Sequence, residues 1–110
     1  MTSQPDPSSL GTAHTTVAVI RNGTGPEVLL VHGGASPPTT WSGLEHLTER
    51  WTLAFVYRRG FAPSPQPPDG RQDFELDAAD LVELLDNRMH IVGHSYGAVG
   101  AVIAATRRPS

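Results

Sequence analysis

An α/β fold built on a mostly parallel sheet is what this 110-residue sequence predicts. Three observations carry the expectation. Short β-branched apolar runs alternate along the chain with stretches of helical periodicity. One run, Val28-Leu29-Leu30-Val31, is continuously apolar, as in a strand covered on both faces. Lastly, Met89-His90-Ile91-Val92-Gly93-His94-Ser95-Tyr96-Gly97-Ala98 joins an apolar run to a small-residue helix through a glycine-flanked serine. The expected sheet has about four strands, an N-terminal hairpin and then mostly parallel pairing, with three helices.

In chain order, residues 1–14 are Ser, Thr, Pro, Gly and Gln with little apolar content, and read as a disordered tail. Thr15 to Ile20 is β-branched and reads as a strand. Asn22-Gly23 and Thr24-Gly25-Pro26 then turn the chain into Val28–Val31, which suggests a hairpin with a long loop. Thr40 to Arg50 reads as a helix capped by Thr39 or Thr40, with Trp41, Leu44 and Leu47 on one face. Leu53 to Tyr57 is the third strand. Arg58 to Gln72 holds four prolines and two glycines and reads as a loop long enough to be functional or disordered. Asp73 caps a helix running to Asp86, with Phe74, Ala78, Leu81 and Leu85 facing inward. Its Glu75, Asp77, Asp80, Glu83 and Asp86 read as a solvated face. His90–Val92 is the fourth strand, and Tyr96–Arg107 the last helix, halted by Pro109.

Composition narrows the function classes. A net charge of -3 supplies no basic footprint for nucleic acid or anionic membrane. No apolar run approaches the roughly 20 residues that cross a bilayer, and no secretory signal is visible at the N-terminus. The chain has 0 cysteines, which removes disulfides and thiolate sites and suits a cytoplasmic protein. His90 and His94 lie about 13 Å apart if both are on a strand, too far for one metal ion. Gly93, Gly97 and Gly100 do not fit a dinucleotide fingerprint, and no Lys-Ser or Lys-Thr stands in P-loop spacing. No cofactor is implied.

The chemistry lies in Gly93-His94-Ser95-Tyr96-Gly97. A tight strand-to-helix turn leaves no room for side chains beside its apex, hence the glycines, and it pushes the serine out of the sheet. The N–H of Tyr96 then sits at a helix N-terminus, where negative charge is favoured. A helix N-cap serine would satisfy the same position. This G-x-S-x-G pattern resembles the nucleophile elbow of the alpha/beta-hydrolase family. Two further segments extend the resemblance. His32-Gly33-Gly34-Ala35 resembles the family's His-Gly oxyanion loop, although an ordinary Gly-rich turn has the same composition. Tyr57-Arg58-Arg59-Gly60-Phe61-Ala62-Pro63-Ser64 resembles the family's D-x-R-G-x-G-x-S segment, with Arg59, Gly60 and Ser64 matching. Tyr57 stands where Asp is usual and Ala62 replaces the second Gly, departures that bear on loop geometry more than on activity.

The resemblance implies a serine hydrolase of esterase type acting on a small-molecule ester or amide. Ser95 would be the nucleophile, and the backbone N–H groups of Tyr96 and Gly34 (or Ala35) the oxyanion donors. His32, Gly33, Arg59, Gly60, Gly93 and Gly97 would be structural, Arg59 as a hydrogen-bond donor. Serine at the apex argues against relatives with an aspartate nucleophile, such as dehalogenases. The three motifs span residues 32–100 in family order but cover only the first half of the family fold. Residues 15–110 would be the N-terminal portion of a hydrolase domain, because the family's Asp or Glu and His follow the serine on later strands. None of the fifteen residues after Ser95 is Asp, Glu or His. His94 should point away across the turn, and His32, the other nearby candidate base, belongs to the oxyanion loop. The alternative is a non-catalytic interaction module whose exposed sheet edge pairs with itself or a complementing chain.

Overall fold

The computed structural model describes residues 15–70, 73–86 and 89–107, so the N-terminal tail lies outside the described residues. Four strands form one sheet: β1 (Val19–Gly23), β2 (Glu27–Val31), β3 (Thr52–Val56) and β4 (His90–Gly93). The order across the sheet is β1-β3-β2-β4. β2 pairs parallel with β3 on one side and with β4 on the other. β1 runs antiparallel to β3 from Val19↔Val56 to Gly23↔Thr52. The predicted α/β class and mixed sheet are therefore found.

The expected hairpin between the first two strands is corrected. Both hydrogen-bonding edges of the apolar β2 are taken by parallel partners, so β1, which is exposed over much of its length, goes to the far side of β3. The Gly23–Pro26 connection arches over the start of β3 instead of closing a turn. Thr24 N–H donates to Thr48 O at 3.1 Å, and Thr52 N–H to Pro26 O at 2.9 Å. The glycines at 23 and 25 adopt φ of 106° and 118° there, which only residues without a Cβ take readily.

Two helices cover one face, α2 (Phe74–Leu84) and α3 (Tyr96–Arg107). Asp73 caps α2 as predicted, its carboxylate accepting the Glu75 N–H at 2.7 Å. Their small residues Ala78, Ala101 and Ala104 let the helices approach closely, over a core of Leu29, Val31, Ala54, Val56, Leu81 and Leu84. At Gly100, an added Cβ would lie 3.0 Å from the Asp77 Cβ.

The opposite face is covered differently from expectation. The predicted helix from Thr40 to Arg50, capped by Thr39 or Thr40, does not form: Thr39 and Thr40 end a short earlier helix, α1 (Pro37–Thr40), whose N-cap is Ser36, and a 3-10 turn (Glu45–Glu49) follows. Between them Gly43 takes φ 88°, a conformation outside the right-handed helix. Trp41, Leu44 and Leu47 still face the sheet, and with Val28, Leu30, Leu53 and Val92 they line an apolar cavity of about 470 Å³. Among the described residues, no helix is long and apolar enough to cross a membrane.

Candidate active site

The ends of β2 and β4 converge on the serine turn. His94 N–H continues the β4–β2 ladder to Val31 O at 3.0 Å, and the next residue, Ser95, reverses the chain at φ 56°. It is the one positive-φ residue other than glycine among the described residues. Such a conformation in a residue with a side chain persists only where its surroundings over-determine it. Here they do. Gly97 N–H closes onto His94 O and Ala98 N–H onto Ser95 O, both at 3.0 Å. A Cβ on Gly97 would lie 2.2 Å from His32 O, and one on Gly33 would lie 2.8 Å from His94 O and 3.0 Å from Ser95 Cβ. The glycines thus let the start of α3 press directly against the end of β2. Gly34, next along, is exposed, and a Cβ there would meet nothing within 4 Å.

Beneath this contact lies a buried polar layer. His32 is 0% exposed. Its Nε2 accepts the backbone N–H of Arg58 at 3.0 Å, so Nδ1 carries the proton and donates to Gly33 O at 3.0 Å. Burial, aided by the nearby Arg58 charge, pushes the imidazole pKa down, and the ring stays neutral. Arg58 is 3% exposed. Its Nε donates to Asp77 Oδ2 at 2.9 Å and its Nη1 to Gly33 O at 2.7 Å. The guanidinium lies 4.4 Å from the Tyr96 ring centroid and 5.6 Å from that of Phe61. Burial raises the Asp77 pKa despite Arg58, and burial together with the Asp77 charge raises that of the Tyr96 phenol.

Among the described residues, His32, His90, His94 and the buried acids are engaged elsewhere than at Ser95. Both nitrogens of His32 are committed, the His94 ring meets Trp41 edge-on, and His90 meets Trp51 in the same way. Asp77 and Asp80 each hold an arginine. The site joins the serine turn to the His-Gly loop, and among the described residues no acid–base pair reaches the hydroxyl.

The sequence profile of the Alpha/beta hydrolase family matches residues 28–109. The chain belongs to the α/β hydrolase family. It is 36% identical over 99 residues to 2-(acetamidomethylene)succinate hydrolase of Mesorhizobium japonicum, covering 86% of this chain and 35% of that protein. It is 35% identical over 89 residues to the pimeloyl-[acyl-carrier protein] methyl ester esterase of Methylococcus capsulatus, covering 80% and 34%. The solved structure of a thermophilic esterase from Thermogutta terrifontis superposes with a TM-score of 0.71 at 32% identity, covering 83% of this chain and 35% of that one. The chain spans between 27% and 37% of the length of the curated relatives it matches.

Within the chain, the Arg58–Ser64 segment is a compact loop. Gly60 N–H reaches Pro65 O at 2.9 Å, while Ser64 Oγ donates to Tyr57 O at 2.6 Å and accepts Ala18 N–H at 2.8 Å. Arg59 forms a two-pronged pair with Asp80, at 2.8 and 2.9 Å, which raises its own pKa. The predicted structural role of Arg59 thus has a defined partner on α2. Two features escaped the sequence reading. Arg58, passed over for its neighbour, is the arginine that reaches the serine turn. Asp77 and Asp80, expected on a solvated face, are each 4% exposed. Their signal was the match between consecutive arginines and two aspartates one helical turn apart. Glu75, Glu83 and Asp86 are exposed as expected.

Proposed function

We propose that residues 15–110 are the N-terminal portion of a serine α/β hydrolase of esterase type and contribute its nucleophile and oxyanion site. Ser95 Oγ attacks the acyl carbonyl of a small ester or amide, and the N–H groups of Tyr96 and Gly34 hold the oxygen as it becomes negative. The base that takes the serine proton, and the acid that orients it, come from polypeptide outside these 110 residues. The location that fits this chemistry and composition is cytoplasmic. The observation that carries the reading is the positive φ of Ser95 at 56°, between a strand and a helix and hard against Gly33.

p-Nitrophenyl acetate tests it. The 110-residue chain alone should give no saturable turnover. A polypeptide extended in frame through a later Asp and a later His should give saturable turnover, lost by more than about 10³-fold in Ser95→Ala. Undiminished turnover in Ser95→Ala would reject the nucleophile. Saturable, Ser95-dependent turnover by the short chain would reject the need for completion.

A second reading has its own support. β4 is an edge strand, the apolar cavity opens beside it, and Val92 and Val102 are 44% and 64% exposed. Such an edge pairs readily with a second copy or a complementing chain. A sharp monomer peak in size-exclusion chromatography, with two-state unfolding, would count against this interaction role.

A further inference from the structure

We infer that Arg58 is a positioning residue: its guanidinium, anchored by Asp77, fixes and polarises the Gly33–Gly34 peptide so that the Gly34 N–H is turned outward as an anion-binding donor. The inference rests on the proposed role of Gly34 in the oxyanion site and extends it to the residue that sets up that amide.

The geometry of a peptide plane does most of the work. Ala62–Pro63 is the one cis bond among the described residues, so the Gly33–Gly34 peptide is trans. In a trans peptide the carbonyl of one residue and the N–H of the next point in opposite directions. Gly33 O is held inward by two donors, Arg58 Nη1 at 2.7 Å and His32 Nδ1 at 3.0 Å. Its plane therefore sends the Gly34 N–H away from the buried layer, on a residue that is itself exposed. Neither Gly34 nor Tyr96 gives its N–H to a backbone carbonyl in the loops and turns among the described residues.

Charge adds strength to orientation. A hydrogen bond from a guanidinium is stronger than one from a neutral donor, and hydrogen bonds in a chain polarise one another. Electron density drawn onto Gly33 O makes the Gly34 N–H a better donor. His32 alone could hold the carbonyl, but it is neutral; the positive charge is Arg58's. A fork is also required. Nε reaches Asp77 while Nη1 reaches Gly33, a division that a lysine ammonium on a flexible stem reproduces poorly. The same guanidinium lies against the Tyr96 ring, so one side chain bears on both residues proposed as donors.

The neighbouring pair gives the contrast. Arg59 and Asp80 have the same chemistry one residue away, yet Arg59 spends both prongs on Asp80. Replacing a buried ion pair by apolar residues is often neutral for stability. Beyond the ion pair itself, Arg58 differs from Arg59 in the carbonyl it holds.

Amide proton–nitrogen NMR spectra of the 110-residue chain test the inference without any need for turnover. The Gly34 resonance should move in Arg58→Lys and in Arg58→Met/Asp77→Leu, which removes both charges so that no buried ion is stranded. It should stay in place in Arg59→Met/Asp80→Leu. An unmoved Gly34 resonance in a folded Arg58 variant, or an equal displacement in the Arg59 control, overturns the inference. In the extended polypeptide, Arg58→Lys should lower kcat about 10- to 100-fold with KM little changed. Unchanged kcat there, against active wild type, also overturns it. If Ser95→Ala leaves turnover intact, the serine reading fails on its own, while the Gly34 resonance still decides whether Arg58 sets the amide.

Discussion

On the face of the sheet that α2 and α3 cover, Leu29, Val31, Ala54 and Leu81 are at most 1% exposed. On the other face Leu30 and Leu53 are buried, but an apolar cavity lies beside them and Val92 is exposed. The difference follows from how much helix each face receives. Four strands about 4.8 Å apart present a surface some 14 Å wide. A helix with its side chains covers roughly 10 Å. Two helices of 11 and 12 residues close one face, while a four-residue helix and a 3-10 turn, divided by Gly43, leave the β4 side of the other open. The covered face also carries the buried ion pairs, so its polar and apolar contacts support each other and hold the serine turn. Among the described residues, no buried ion pair lies on the open face.

The largest effect should come from the polar layer of the covered face. Asp77→Asn deprives the buried Arg58 charge of its carboxylate and should cost about 3–5 kcal/mol in urea unfolding. Glu75→Gln, on the same helix as Asp77 and in an exposed pair with Arg107 of α3, should change stability by under about 0.5 kcal/mol. Equal costs would break the contrast. Next, Leu81→Ala should cost about 3 kcal/mol, and Leu47→Ala, which borders a cavity already present, about 1 kcal/mol. The two urea midpoints measure how far the faces differ.

A pH titration of stability sharpens it further. The His32 pKa is lowered from 6.5 on folding, so the unfolded chain takes up a proton first. Stability from this group is complete above about pH 6.5 and falls as the pH drops below it. Asp77 and Arg58 are the two charges that face the ring. Comparison with His32→Gln isolates the histidine; a variant with the same loss between pH 7 and pH 5.5 would disprove the assignment. The smallest effect belongs to Val102→Ser on the exposed side of α3, within about 0.5 kcal/mol, with less concentration-dependent association in size-exclusion chromatography.

Much of the site was legible because it depends on backbone. Gly93, Ser95 and Gly97 mark a turn whose steric demands are local, and α3 begins and ends at the predicted residues. Asp73 was legible as a cap for the same reason. Arg58 was not, since its partners Gly33, Asp77 and Tyr96 lie on three separate elements and share no spacing in the chain. The fate of Asp77 and Asp80 was hidden similarly: a helical wheel separates polar from apolar residues but does not tell water from a buried arginine.

By itself, then, the sequence determined β2, β3 and β4, the two long helices and the serine turn, which follow from short-range periodicity and glycine sterics; the first strand, expected at Thr15–Ile20, instead runs Val19–Gly23 through the expected turn at Asn22-Gly23. Tertiary structure decided which edge of β3 receives β1, because β2 had already spent both of its edges on parallel neighbours. It also decided against the first predicted helix, and decided which of two adjacent arginines reaches the serine turn. Those outcomes depend on long-range packing and on charge brought together only when the chain closes.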